Sequence, residues 1–95
     1  MTVNDVRVKI TPILEEYGIS YAGVFGSVAK GESKDNSDVD IIVRFGRPMG
    51  MFIYMKFVNS LEDSLQRRVD VVTENSLNKF IKPYVLPDIK VIYEN

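Results

Sequence analysis

Two carboxylates one residue apart, Asp38 and Asp40, lie downstream of a Gly26-Ser27 pair, with residues 28–37 between them. The flanking residues suggest where each group sits. Val24-Phe25 delivers the Gly-Ser pair from a hydrophobic run, and Val39 with Ile41-Ile42-Val43 surrounds the acids with strand-forming residues. Side chains in a strand repeat every two residues, so Asp38 and Asp40 are expected to leave on the same face. Two acids on one sheet face repel each other unless a cation sits between them. Hard divalent cations such as magnesium take carboxylate oxygens together with substrate phosphates. A Gly-Ser turn opening a short helix presents free backbone N–H groups and a hydroxyl, a combination suited to phosphate. One stretch of chain therefore carries donors for a metal and for the anion that metal would work on.

Taken singly, Asp38 and Asp40 read as surface acids at a loop end, since exposed Asp is the norm. Together with Gly26-Ser27 at this spacing, they resemble the signature of the polymerase-beta-type nucleotidyltransferase superfamily. At this length the chain most resembles the minimal nucleotidyltransferases, the MNT proteins paired with HEPN-domain partners. The resemblance runs from the strand over residues 21–25 to the final Val91-Ile92-Tyr93. In that family a third strand acid joins the other two, which selects Asp70 over Asp63 or Asp88. An Asp inside a Val-rich strand costs free energy unless something charged compensates it. The competing role for Asp70 is an ion pair with Arg67 or Arg68. Ser27 also suits an ordinary helix N-cap, which is compatible with phosphate binding. Lys30 stands where related proteins often carry arginine. Its ammonium is a point charge rather than a bidentate fork, and a solvated surface lysine is the competing reading.

The resemblance implies Asp38, Asp40 and Asp70 as catalytic and metal-holding groups, with Gly26, Ser27 and Lys30 toward the nucleotide. It implies ATP as the nucleotidyl donor and two magnesium ions. Larger relatives carry further domains that bind the acceptor, so here the acceptor must come from a partner. The implied reaction is transfer of AMP to a tyrosine hydroxyl of a HEPN-domain toxin, with this chain as the antitoxin in a hetero-oligomer. Two alternatives stand beside it. One is a non-catalytic binding module that neutralises the HEPN partner by occlusion. The other is a nucleotidyltransferase acting on a small molecule.

Bulk properties narrow the field. A chain of 95 residues is expected to form a single domain, 1–95, with one modest core. A net charge of −1 provides no basic field for a nucleic acid backbone, which argues against work on long DNA or RNA. With no cysteine and no histidine, thiolate and imidazole chemistry are out, and proton transfer falls to carboxylate, lysine or tyrosine. No signal-like leader is visible, and no apolar run approaches the roughly 18 residues of a membrane span. A cytoplasmic protein is the default expectation.

The elements that must position the acids follow from periodicity. Val3, Val6, Ile10, Ile13, Leu14 and Tyr17 recur at helical spacing, with Thr2 and Asp5 as a capping pair and Gly18 as the stop. Pro12 either kinks this helix or begins a second one behind a Thr11 cap. Strands are predicted over 20–25, 38–45, 69–73 and 89–93, with a helical turn over 27–30 and a polar loop over 31–37. A helix over 51–66 carries Tyr54, Phe57, Val58, Leu61 and Leu65 on one face, with Phe52 almost opposite and Met51 and Met55 at the margin. Asn75 or Ser76 is expected to cap a short helix through Lys82, stopped by Pro83. The whole reads as an α/β domain, a mixed β-sheet with helices packed on one face and an open acidic face. If the third strand lies beside the second with matching pleat, Asp70 joins Asp38 and Asp40 on that open face. The last strand is expected at an edge of the sheet, open to pairing.

Overall fold

A computed structural model of the chain describes residues 1–32, 34, 37–73 and 89–95. The first helix, α1 (Val3–Glu16), starts where Thr2 and Asp5 exchange hydrogen bonds. The Asp5 N–H donates to Thr2 Oγ1 at 3.1 Å, and the Thr2 N–H donates to Asp5 Oδ2 at 2.9 Å. Two donors with no acceptor inside the helix are thereby satisfied. Pro12 sits inside this one helix and starts no second one. The missing N–H would have paired with Val8, and both Val8 and Pro12 face solvent, where water can serve the freed carbonyl. Thr11 Oγ1 donates to the Arg7 carbonyl at 2.6 Å one turn back. The helix ends at Glu16 with Tyr17 as its C-cap, and Gly18, the residue expected to stop it, follows with φ +71°.

The chain then runs through β1 (Ile19–Phe25), a short α2 (Gly26–Ala29), β2 (Val39–Phe45), α3 (Met51–Leu65), β3 (Val69–Thr73) and β4 (Lys90–Glu94). The four strands form one sheet in the order β3-β2-β1-β4. β1 is antiparallel to both β2 and β4, while β2 and β3 run parallel, so the sheet is mixed as expected. A parallel neighbour needs a crossover, and α3 supplies it. β4 occupies one edge of the sheet. The helix expected between Asn75 and Lys82 lies outside the described residues, as does part of the polar loop over 31–37.

One sheet face is dry. Val6, Ile10 and Leu14 of α1 and Phe57, Leu61 and Leu65 of α3 pack on Ala22, Val24, Val39, Ile41, Val43, Val69 and Ile92, all buried. Tyr17 and Phe57 rings meet at 5.3 Å, and Ser64 Oγ donates to the Lys9 carbonyl at 3.0 Å, tying the two helices together. The stripe of α3 is as the periodicity predicted, and Phe52 opposite it is 83% exposed. No helix among the described residues is long and apolar enough to cross a membrane.

The strand period that sends Ile41 and Val43 into this core sends Asp40, Ile42 and Arg44 to the opposite face. That second face is not only acidic. Ile42 is buried there against Tyr21, Phe25, Val72 and Ile89, and the Arg44 guanidinium lies 5.1 Å from the centre of the Tyr21 ring.

Candidate active site

The site forms where three neighbouring strand ends meet. β1 finishes at Phe25, directly across from Asp40 of β2, and Asp40 in turn pairs with Asp70 of β3. Parallel pairing with matched pleat places Asp40 and Asp70 on the same face, the geometry that would bring the third acid to the others. Asp38 lies just outside the sheet. It was expected to open β2, but the ladder begins one residue later, where the Val39 N–H donates to the Arg68 carbonyl at 2.9 Å.

Electrostatics tie these groups together. Burial raises the pKa of Asp40 above the ordinary 3.8, and the charges of Asp70 and Asp38 and a hydrogen bond to the Asp70 carboxylate push it the same way. Asp70 itself is exposed, so this end of the sheet opens to solvent. Arg67 does not take the ion-pairing role considered for it. Its guanidinium turns to the carbonyls of Lys34 and Ser37 instead.

Gly26 meets this cluster from the other side. Its φ of +73° is strained for any residue with a side chain, and a Cβ built there would land on Asp40 Oδ2. The absent side chain is what lets the β1–α2 turn close on the carboxylate. Ser27 follows as the second residue of α2. Phe25 holds the N-cap position without a side-chain cap, so Ser27 is not the cap that its type suggested. First-turn N–H groups of such a helix find no acceptor within it. Lys30 caps the far end of α2 and is exposed.

The donor set is all oxygen, two of its members crowd each other, and a glycine cradle closes on one of them. Those features fit a hard divalent cation. Among the described residues, no three acidic side chains stand close enough to hold one ion as they are placed. A shared cation would therefore require these carboxylates to draw closer together. The sequence pattern missed two features here, the hold of Arg67 on the segment before Asp38 and the apolar patch beside the acids. Alternation of Tyr21, Phe25, Ile42 and Val72 along their strands was the signal for the second.

A sheet with its acids at this strand junction, beside a Gly-Ser turn, is the arrangement of a nucleotidyltransferase domain. The family model described as Polymerase beta, Nucleotidyltransferase matches residues 8–95, and the chain belongs to that family. A Methanocaldococcus jannaschii protein provisionally named a protein adenylyltransferase is 38% identical over 86 residues, covering 90% of this chain and 92% of its own length. The protein adenylyltransferase MntA of Thermococcus cleftensis is 39% identical over 75 residues, covering 79% of this chain and 76% of its own. Among solved structures, a provisionally named minimal nucleotidyltransferase superposes with a TM-score of 0.77 at 29% identity, covering 95% of both chains. Two further likenesses concern the fold alone. A toxin–antitoxin structure with AMP-PNP has a TM-score of 0.79 at 23% identity and covers 94% of this chain and 73% of that one. A Shewanella oneidensis complex of a tri-AMPylated HEPN toxin with its MNT antitoxin has a TM-score of 0.73 at 19% identity, covering 99% of this chain and 74% of that one.

Proposed function

We propose that the chain is an antitoxin that transfers AMP from ATP to a tyrosine hydroxyl of a HEPN-domain toxin. The observation that carries this reading is the in-register Asp40–Asp70 pair, closed on one side by Gly26, whose absent side chain leaves room for the Asp40 carboxylate. Two neighbouring carboxylates kept this way are a cost to the folded chain that a bound cation removes. The names of the relatives, and the toxin–antitoxin structures that share the fold, support the choice of donor and acceptor.

Asp38 and Asp40 would hold one magnesium, and all three acids would share a second. When bound, the ions would lower the pKa of the attacking hydroxyl and neutralise charge on the departing pyrophosphate. The chain's own work is positioning. Gly26 lets backbone approach the phosphates, Ser27 adds a hydroxyl donor, and Lys30 adds positive charge at the end of α2. A bond forms between the acceptor oxygen and the α-phosphorus as the bridging bond to the β-phosphate breaks. Pyrophosphate leaves, and the hydroxyl proton goes to Asp70, which is exposed and so accessible to an incoming side chain.

Incubation with a HEPN-domain partner, labelled ATP and magnesium tests this. Label should move to the partner, and an Asp38→Asn variant as active as the unmodified chain would remove the acids from the mechanism. Occlusion without catalysis is favoured by one specific observation. Met51, Phe52, Ile53 and Met55 stand 71%, 83%, 45% and 54% exposed along the first turns of α3, a surface of the kind that interfaces enrich. A chain with both Asp38 and Asp40 changed to Asn that still protects cells would decide for occlusion.

A further inference from the structure

We infer that Arg67 is a positioning residue for Asp38, an inference that rests on the metal-site reading above. Asp38 is the one candidate acid outside the sheet, so the ladder alone does not fix it. Both peptide groups beside it are instead held by consecutive residues of the α3–β3 connection. On its far side, the Val39 N–H donates to the Arg68 carbonyl at 2.9 Å. On its near side, Arg67 Nη1 donates to the Ser37 carbonyl at 3.5 Å and to the Lys34 carbonyl at 2.6 Å. Lys34 and Ser37 also bind each other. The Ser37 N–H donates to the Lys34 carbonyl at 3.0 Å, and the Lys34 N–H to Ser37 Oγ at 2.8 Å. Arg67 thus holds Lys34 and Ser37 together, and the Ser37 carbonyl belongs to the peptide that begins Asp38.

The grip is anchored. Gln66 takes the left-handed conformation at the end of α3 with φ 54°, its Nε2 donating to the Asp63 carbonyl at 2.7 Å. Glu62 Oε2 accepts the Val69 N–H at 2.9 Å, where β3 begins. Asp70 stands one residue further on. One short, cross-braced connection therefore sets Asp38 and Asp70 together. A guanidinium serves two carbonyls from one nitrogen in fixed geometry, which an ammonium on a flexible stem does not reproduce. Hydrogen bonds from a charged donor are also the stronger kind.

The sign of the effect on metal binding separates this role from a bulk charge effect. Removing a positive charge near three acids should, by Coulomb attraction alone, tighten a divalent cation. Loss of a positioning residue should weaken it, by the 10–100-fold typical of outer-shell partners (about one to two decades). Calorimetric titration of the full chain with Mn²⁺ provides the readout. Arg67→Ala should bind about 10–100-fold more weakly. Arg67→Lys, which keeps the charge, should also bind more weakly. Arg47→Ala, which removes an arginine bound to the Glu16 carbonyl elsewhere, should bind as the unmodified chain does. On an Asp38→Asn background, Arg67→Ala should add no further loss, because the two act through one another. Hydrogen exchange at the Val39 amide should quicken in Arg67→Ala without any metal present. Equal or tighter Mn²⁺ binding by both Arg67 variants overturns the inference and leaves the metal site standing. No Mn²⁺ binding by the unmodified chain overturns the metal-site reading itself, and this inference with it.

Discussion

Replacing Gly26 by alanine separates the cost of a turn from the cost to the site. Gly26 and Gly31 share the same φ of +73°, but their surroundings differ. A Cβ at Gly26 would land on Asp40 Oδ2, whereas one at Gly31 has nothing within 4 Å. Each Gly→Ala change carries the left-handed penalty of about 1–2 kcal/mol. For a domain of this size each kcal/mol lowers the melting temperature by roughly 4–8 °C. Both variants should therefore melt lower by similar amounts. Only Gly26→Ala forces the Asp40 carboxylate aside. That group is the end of a side chain and can rotate away, so the added stability cost is small while the catalytic geometry is lost. Misplacement on the order of 1 Å costs about 10²-fold in rate. The assay is transfer of labelled AMP to the HEPN partner, read beside thermal melts of both variants. Gly31→Ala should retain near-normal transfer, and Gly26→Ala should lose about two decades. Equal transfer by the two variants would refute the placement of Asp40 at the reaction centre.

The pH dependence follows from Asp40. Burial, then Asp70 and Asp38, raise its pKa in the folded chain above 3.8, so the folded state holds this proton to higher pH than the unfolded one. The stability it contributes is full below 3.8 and is lost as pH rises through the raised value. Melts in chelator should show that fall, and the stabilisation by added magnesium should grow over the same window. Asp70→Asn should raise the melting temperature in chelator at neutral pH, by removing repulsion at Asp40, while abolishing transfer. Phe52→Ser, at an 83% exposed position, should change stability by no more than about 0.5 kcal/mol yet weaken binding of the partner in a pull-down with purified HEPN protein. Leu61→Ala, at a fully buried core position, should cost about 2–5 kcal/mol by chemical denaturation.

Periodicity made α1, α3 and the strands legible, but not the parallel direction of the β2–β3 pairing. The α3 stripe from Phe57 to Leu65 and the Val-rich β3 could be read with little ambiguity, because each buries one repeating set of side chains. Asp70 was chosen on the family resemblance, on the condition that β3 lies beside β2 with matching pleat, and that pairing is observed with Asp70 opposite Asp40. What could not be read was anything set by one long side chain reaching across the chain. The hold of Arg67 on Ser37 spans 30 residues and leaves no periodic trace. Pro12 was ambiguous for a related reason. Whether a proline breaks a helix depends on whether the orphaned carbonyl meets solvent, and only the packing of α1 decides that. The start of β2 was misjudged by one residue because Asp38 has strand neighbours on one side only. The expected helix between Asn75 and Lys82 falls on residues the structure does not describe.

Crystals grown with Mn²⁺ and a non-hydrolysable ATP analogue would test most directly whether the three acids act as one centre. Anomalous difference density should mark the metal between Asp38, Asp40 and Asp70, with the three carboxylates drawn together and the triphosphate against Gly26 and Ser27. Manganese seated elsewhere on the chain, or a nucleotide bound with no metal shared by the three acids, would contradict the account.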